Sequence, residues 1–429
     1  MKKLLLITKG FPFGESERSF LLDECEALIG RFSVFVLTTE NTEPLHYPMP
    51  ELVGVESYQF SSYPKNLKTV RACVKELLSP YVFADVLAAM RNCSLKTAIS
   101  RCKFILGSGL AARQIQGKIR EIVEREKIDI IYTYWCTRTT LAAIRLKKEF
   151  PRLRVVTRFH GADLYNERQP EGYQAFRREL SDNCDRLVFA CEAGKNYYLS
   201  QWGQQWQNKA VVAYLGSRGR KEVIPGGGAS LCLISCSNLI PLKRVEYIIE
   251  ALALLPEDFR VDWHHFGDGP LRETLEAQAR QCLGSRGGIT WKFWGYVPNE
   301  KLAEIYGDLG ADLFITTSST EGGAPVSIQE AQAMAIPCVA TAVGGIPELV
   351  ISGKTGFLLP DNPTVSQVKD AIKSFSELSW EEKANMRKEA LSLWKEKLDA
   401  VKNGEAFAEL LASLVDGQNR YSEDYEKSN

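Results

Sequence analysis

The sequence predicts a two-domain α/β protein in which each domain is a doubly wound parallel sheet covered by helices on both faces. Three observations carry this. The chain has 429 residues, and a domain takes about 100–200. Short runs rich in Val, Ile and Leu alternate with helical patterns, as buried parallel strands do. The alternation breaks at 217–229, which holds Arg218-Gly219-Arg220-Lys221 and Pro225-Gly-Gly-Gly228, and then restarts. The expected division is a domain over 1–216, a linker over 217–229, a second domain over 230–378, helices over 379–415 crossing back towards the first domain, and a polar tail over 416–429.

The first strand is Lys3–Thr8. Its basic start followed by Leu4–Ile7 imitates a secretion signal, but the apolar stretch is short and Gly10, Pro12 and Gly14 interrupt it at once. Strands follow at Ser33–Thr38, Asp129–Thr133, Arg154–Arg158, Arg186–Ala190 and Lys209–Ala213, with an amphipathic helix at Gln114–Lys127. The second domain repeats the pattern at Leu231–Cys236, Arg260–Phe266, Ile289–Phe293, Asp312–Thr316, Ile336–Thr341 and Gly356–Leu359. Ser379-Trp-Glu-Glu382 has the form of a capping box that opens a helix.

Lys+Arg and Asp+Glu are both 53, so the net charge is zero, which argues against a dedicated nucleic-acid binder. No stretch of about 18 apolar residues spans a bilayer. The cysteines number 11, an odd count without a Cys-x-x-Cys pair, which reads as reduced thiols of a cytoplasmic protein.

The segment Thr317-Ser-Ser-Thr-Glu321-Gly322-Gly323-Ala324-Pro325-Val326-Ser327-Ile328-Gln329-Glu330-Ala331 carries the sharpest chemistry. It follows a strand, turns on two glycines, and starts a helix at a proline. The N–H groups of Val326 and Ser327 would bind phosphate there. Glu330 could accept from a ribose diol, as a carboxylate does in dinucleotide folds, and Glu321 from sugar hydroxyls.

This segment resembles the Glu-Gly-x-Pro…Glu-Ala signature of glycosyltransferase family 4, retaining enzymes with the GT-B arrangement of two Rossmann-like domains facing across a cleft. Further segments match in order. Ser235-Cys-Ser-Asn238-Leu-Ile-Pro-Leu-Lys243-Arg244-Val resembles the family's Gly-Arg-Leu-x-x-x-Lys-Gly stretch, and Phe266-Gly-Asp-Gly-Pro270 its Gly-x-Gly-Pro loop. Phe293-Trp-Gly-Tyr296-Val297 resembles the segment whose backbone meets the nucleobase, and Val343-Gly-Gly-Ile-Pro-Glu348 the closing Gly-Gly-x-x-Glu block. Arg158-Phe-His160-Gly-Ala-Asp163 resembles the His-Gly-x-Asp motif of the N-terminal domain. The likeness is strong over Leu231–Leu359 and weak before it.

The resemblance implies a nucleotide-sugar donor, UDP- or GDP-linked, in the second domain. Asn238, Lys243, Arg244, Tyr296, Val297, Val326, Ser327 and Glu330 would meet the nucleotide and phosphates. Glu321, Gly322, Gly323, Ala324 and His160 would meet the sugar, with His160, Lys243 and Glu321 closest to the reaction and Asp163 orienting the His160 loop. Two departures stand out. Eight residues separate Glu321 from Glu330, one more than the family's usual spacing. Asn238 stands where the family has Arg, which leaves more of the phosphate charge to Lys243. Lys243 and the helix N-terminus would stabilise the leaving diphosphate without a metal, and no cofactor is expected.

The loop after the first strand carries Gly10, Phe11, Phe13, Gly14 and Arg18, which could meet the acceptor, a saccharide or a lipid-linked sugar. Tyr63–Arg120 holds eleven basic residues (from Lys65 to Arg120) and two acids, Glu76 and Asp85. With apolar residues between its charges, the stretch over Lys65–Arg120 suits an anionic membrane surface. The expectation is a glycosyltransferase of bacterial surface-polysaccharide synthesis, peripheral on the inner face of the membrane. The alternatives are a phosphorylase or sugar-nucleotide epimerase of the same fold, and a non-catalytic scaffold that binds a sugar nucleotide. A nicotinamide dehydrogenase is disfavoured because no Gly-x-Gly-x-x-Gly follows the first strand.

Overall fold

The computed structural model describes residues 1–13, 17–40, 49, 51–62, 67–91 and 93–417, the side chains of 19, 20 and 67–69 excepted. The chain forms two compact units. One is Met1–Ala213 with the chain from Lys402 onward, and the other is Tyr214–Val401.

In the first unit the strands are β1 (Lys2–Thr8), β2 (Phe32–Thr38), β3 (Gly54–Ser57), β4 (Ile130–Thr133), β5 (Arg154–Phe159), β6 (Arg186–Phe189) and β7 (Ala210–Val212). They form one sheet in the order β3-β2-β1-β4-β5-β6-β7, with parallel pairing throughout. Leu4–Ile7 are all buried because helices cover both faces. The sequence reading lacked β3. It is a four-residue strand, Gly54-Val-Glu-Ser57, that pairs with β2 alone, so it never acquires an apolar run. The amphipathic stretch at Gln114–Lys127 is the end of a 32-residue helix, Leu95–Glu126. Ser94 caps it by accepting the Thr97 N–H at 3.2 Å, and Lys127 ends it at a left-handed φ of 56°.

In the second unit β8 (Leu231–Cys236), β9 (Val261–Phe266), β10 (Ile289–Phe293), β11 (Leu313–Thr316), β12 (Cys338–Thr341) and β13 (Gly356–Leu359) lie in the order β10-β9-β8-β11-β12-β13. Trp263, Leu233, Ile315 and Val339 pack this sheet against helices through Ile248, Ile249, Ile372 and Phe375. Residues 217–229 are tied along this unit. Ser217 N–H donates to Leu398 O (2.9 Å), Trp394 Nε1 to Ser217 Oγ (2.9 Å), Val223 N–H to Met334 O (3.0 Å), and Arg387 Nη2 to Val223 O (2.6 Å). The Ser379 capping box forms with Glu382 and opens the helix Trp380–Leu393. The last helix, Ala400–Asp416, belongs from Lys402 to the first unit, where Phe407 lies edge-on to Tyr132 at 5.0 Å.

Both sheets reverse strand order beside their first strand: between β1 and β4, and between β8 and β11. Loops that leave the strand C-termini at such a switch point frame the usual ligand position of doubly wound sheets.

Candidate functional site

At the second unit's switch point, the loop after β8 meets the loop after β11. Lys243, at the end of a short turn, places Nζ 2.5 Å from Glu321 Oε1. Backbone fixes the approach: Ser319 N–H donates to Leu242 O (2.8 Å), and Thr317 Oγ1 to Arg244 O (2.8 Å). The closing glycine block locks the loop from the other side. Gly345 N–H donates to Gly323 O at 3.0 Å. Gly344 sits at φ 56°, where a Cβ would stand 2.6 Å from the Glu321 carbonyl oxygen, so this position requires glycine.

The loop then enters the helix Val326–Ala333 through Pro325, with no side-chain cap, and the first helical bond is Gln329 N–H to Pro325 O (3.3 Å). Glu330 lies in its second turn. It accepts from Asn299 Nδ2, Arg220 donates to Asn299 Oδ1 at 3.4 Å, and burial raises the Glu330 pKa. Asn299 and Arg220 were not legible in advance. Arg220 lies in the basic run that reads as linker, and Asn299 two residues past the Tyr296-Val297 segment.

The loops after β8, β9 and β10 stack on one another. Ser237 N–H donates to Phe266 O, Leu239 N–H to Asp268 O, and Gly267 N–H to Gly295 O, at 2.9–3.0 Å. A Cβ on Gly267, at φ 126°, would overlap the Ser237 carbonyl. Asn238 and Tyr296 are exposed, and Val297 is partly so. Arg244 is placed differently from the phosphate role given to it above. Its backbone is left-handed, φ 46°, and its guanidinium donates to Asn362 Oδ1 (2.8 Å), Asp361 O (3.0 Å) and Ser318 O (3.3 Å). It braces two loops, and Lys243 is the cation beside Glu321. His265 is held inside the sheet by Ser235 Oγ (2.9 Å) and Ser237 O (3.2 Å).

At the first unit's switch point a buried carboxylate shapes the loop after β1. Glu17 accepts the N–H groups of Gly10 (2.6 Å), Phe11 (2.8 Å) and Lys9 (3.3 Å), and the indole N–H of Trp135. Phe11 is 1% exposed. That corrects its expected contact with an acceptor: its ring packs into the core, while Phe13 and Arg18 remain partly exposed. Gly14 lies outside the described residues.

His160 follows β5. Asp163 holds its loop by accepting the His160 N–H (2.9 Å) and the Cys136 N–H (2.8 Å). The imidazole packs against the rings of Tyr134 and Trp135, centroids 4.5 and 4.3 Å away, with Nε2 3.0 Å from Tyr134 O. Burial, reinforced by the charge of Arg158, lowers its pKa to about 3. The neutral ring donates through Nε2 and keeps Nδ1 as acceptor. Arg158, fully buried, pairs with Glu24 and donates to Tyr132 Oη (2.7 Å) and Ala213 O (2.7 Å). A cavity of about 240 Å³ opens here, lined by Lys9, Glu40, Trp135, Arg138, Asp163 and Arg177 among others.

Two doubly wound units give the chain the GT-B fold, and the second holds a lysine–glutamate pair and an uncapped helix N-terminus at its switch point. Residues 227–392, within the second unit, match the family described as Glycosyl transferases group 1. An Escherichia coli K12 protein named for glycosyl transfer in colanic acid biosynthesis, WcaL, is 29% identical over 62% of this chain and 64% of its own length. The match thus spans under two thirds of that relative. The amylovoran biosynthesis glycosyltransferase AmsK of Erwinia amylovora is 29% identical over 48% of this chain and 51% of its own. Among solved structures, the lipopolysaccharide outer core galactosyltransferase WaaB superposes over 96% of this chain and 99% of its own (TM-score 0.66, 13% identity). Anabaena HepE in complex with UDP superposes over 96% and 100% (TM-score 0.64, 19% identity). These structural likenesses speak to the fold.

Proposed function

We propose that this chain is a retaining glycosyltransferase. It moves a sugar from a UDP- or GDP-linked donor to a saccharide or lipid-linked acceptor in the synthesis of a bacterial surface polysaccharide. The observation that carries the reading is the loop after β11. It holds the partner of Lys243 at 2.5 Å, runs into an uncapped helix N-terminus, and places the half-buried Glu330 one turn further on.

In transfer, the bond from the anomeric carbon to the diphosphate oxygen breaks, a bond to the acceptor hydroxyl oxygen forms, and the hydroxyl proton passes to the departing diphosphate. Negative charge grows on the departing phosphate. Lys243 and the N–H groups of Val326 and Ser327 are the groups to receive it. Glu330 takes the ribose hydroxyls, Tyr296 and Val297 adjoin the base, and Glu321 with Gly322–Ala324 adjoins the sugar. The first unit's crevice, with Phe13 and neutral His160, is assigned to acceptor and sugar. Retention rests on the family resemblance. The polysaccharide setting is supported by the relatives named for colanic acid and amylovoran synthesis. The donor class is supported by the UDP complex of the structural neighbour and by GDP-mannose-dependent relatives.

The test is release of nucleoside diphosphate with sugar transfer, across UDP-, GDP- and ADP-sugars offered with lipid-linked saccharides. Transfer from one donor sustains the reading. Tight nucleotide-sugar binding with no transfer would convert the protein to a binding scaffold. Activity is expected to survive EDTA, because protein groups supply the phosphate-neutralising charge. Strict dependence on a divalent ion would contradict that assignment.

A further inference from the structure

The basic stretch of the first unit forms three helices packed on one another, Leu67–Leu77, Pro80–Ala89 and the start of Leu95–Glu126. Nine of the eighteen large apolar side chains exposed among the described residues fall here, between Val70 and Ile99. They follow helical spacing on the solvent side: Val70, Val74 and Leu78, then Phe83, Leu87 and Met90, then Leu95 and Ile99. Leu78 is 78% exposed, Leu95 76% and Phe83 58%.

Cations sit directly beside them. Arg71, Lys75, Arg91, Lys96 and Lys103 are all exposed. The two acids of the stretch are both turned inward. Glu76 is buried under Arg113 and Arg145. Asp85 accepts the Phe176 N–H and is largely buried. Arg101 is also withdrawn, donating to the carbonyls of Glu171 (3.0 Å), Gly172 (3.3 Å) and Ala89 (3.3 Å). Lys65 lies outside the described residues, and only the backbone of Lys68 is described.

We propose that this face docks on an anionic lipid bilayer, with Leu78, Phe83, Leu87 and Leu95 entering the headgroup–acyl boundary and Arg71, Lys75, Arg91, Lys96 and Lys103 on lipid phosphates. The chemistry selects this occupant. Interleaved aliphatic and basic side chains match a surface that is apolar a few ångströms beneath an anionic layer. A second copy joined face to face would set the same cations against one another. No helix of the described residues is long and apolar enough to cross a membrane, so the attachment is peripheral. The inference stands on this surface alone and does not depend on the reaction catalysed.

Flotation of the full chain with phosphatidylcholine–phosphatidylglycerol vesicles tests it. Wild type floats at about 0.1 M salt and is released at about 1 M, where charge is screened within roughly 3 Å. It stays behind with pure phosphatidylcholine. The triple variant Lys75→Glu, Lys96→Glu, Lys103→Glu lowers partitioning about a hundredfold or more. The double variant Leu78→Ser, Phe83→Ser keeps every charge and lowers it about tenfold or more. Unchanged melting assigns both losses to the surface. If either variant melts early, the single changes Lys96→Glu and Leu78→Ser take its place. Wild type left unbound by anionic vesicles at low salt overturns the proposal, as does a serine variant that floats like wild type. A dimer in solution that Phe83→Ser dissolves, with no vesicle binding, gives the face to a second copy instead.

Discussion

The two switch points share a topology and differ in what fills them. In the second unit, glycines let bare backbone close in on the site, and a cation with a carboxylate partner stands at the strand ends. In the first unit, carboxylates do the shaping. Glu17 and Asp163 spend their oxygens on backbone N–H groups, and the His160 imidazole packs against two aromatic rings and stays neutral. The second arrangement suits an anion. The first, proposed for hydroxyl groups, offers the His160 Nδ1 as acceptor beside the rings of Tyr134 and Trp135, near a cavity lined by Lys9, Arg138 and Arg177. The contrast shows that one kind of switch point can carry different groups on the loops that leave its strands.

Three changes would break or sharpen this contrast. Arg158→Ala has the largest expected effect, because it strands Glu24 and Tyr132 in the core beneath the first crevice. Loss of one partner of a buried pair costs about 3–5 kcal/mol, read as a drop in stability by chemical denaturation, with Glu24→Gln in the Arg158→Ala background recovering part of it. Next, Glu330→Ala removes a charged acceptor from the second unit's site. Nucleotide affinity should fall by about 1.5–3 kcal/mol, the worth of a charge-assisted hydrogen bond, and titration calorimetry on the folded variant measures it. An unchanged affinity takes Glu330 out of the site.

The effect that is smallest at neutral pH is a pH dependence. Folding lowers the His160 pKa from 6.5 to about 3. Between those values the unfolded chain holds the proton and the folded chain does not. His160 therefore makes stability fall as pH drops from about 6.5 towards 3, and contributes no slope above. His160→Gln should flatten the acid side of the stability profile relative to wild type. Parallel profiles would mean that the ring is not buried neutral.

The difference between the units also explains what was legible in the sequence. Every strand of the second unit lies within two residues of its expected place, and its proposed site residues lie within a few positions of glycines or prolines that mark sharp turns. Glu321 and Glu330 could therefore be named from the local pattern, and Lys243 from the family resemblance. Glu17 could not, because its role depends on meeting Trp135, 118 positions away, through a loop that has no pattern of its own. The same holds for Arg158 with Glu24, 134 positions apart. Arg244 was misassigned because adjacency to Lys243 says nothing about direction once its backbone turns left-handed. Phe11 reads as an exposed aromatic only until Glu17 folds its loop inward.

The central claim is that Lys243 binds the diphosphate of a nucleotide sugar. Titration of wild type and Lys243→Ala with a nucleoside and with its diphosphate, for uridine and for guanosine, tests it without requiring the acceptor. The account predicts that the diphosphate binds wild type at least tenfold tighter than the nucleoside. That advantage should shrink strongly in Lys243→Ala, while the affinity for the bare nucleoside stays the same. A diphosphate advantage of equal size in the two proteins would contradict it.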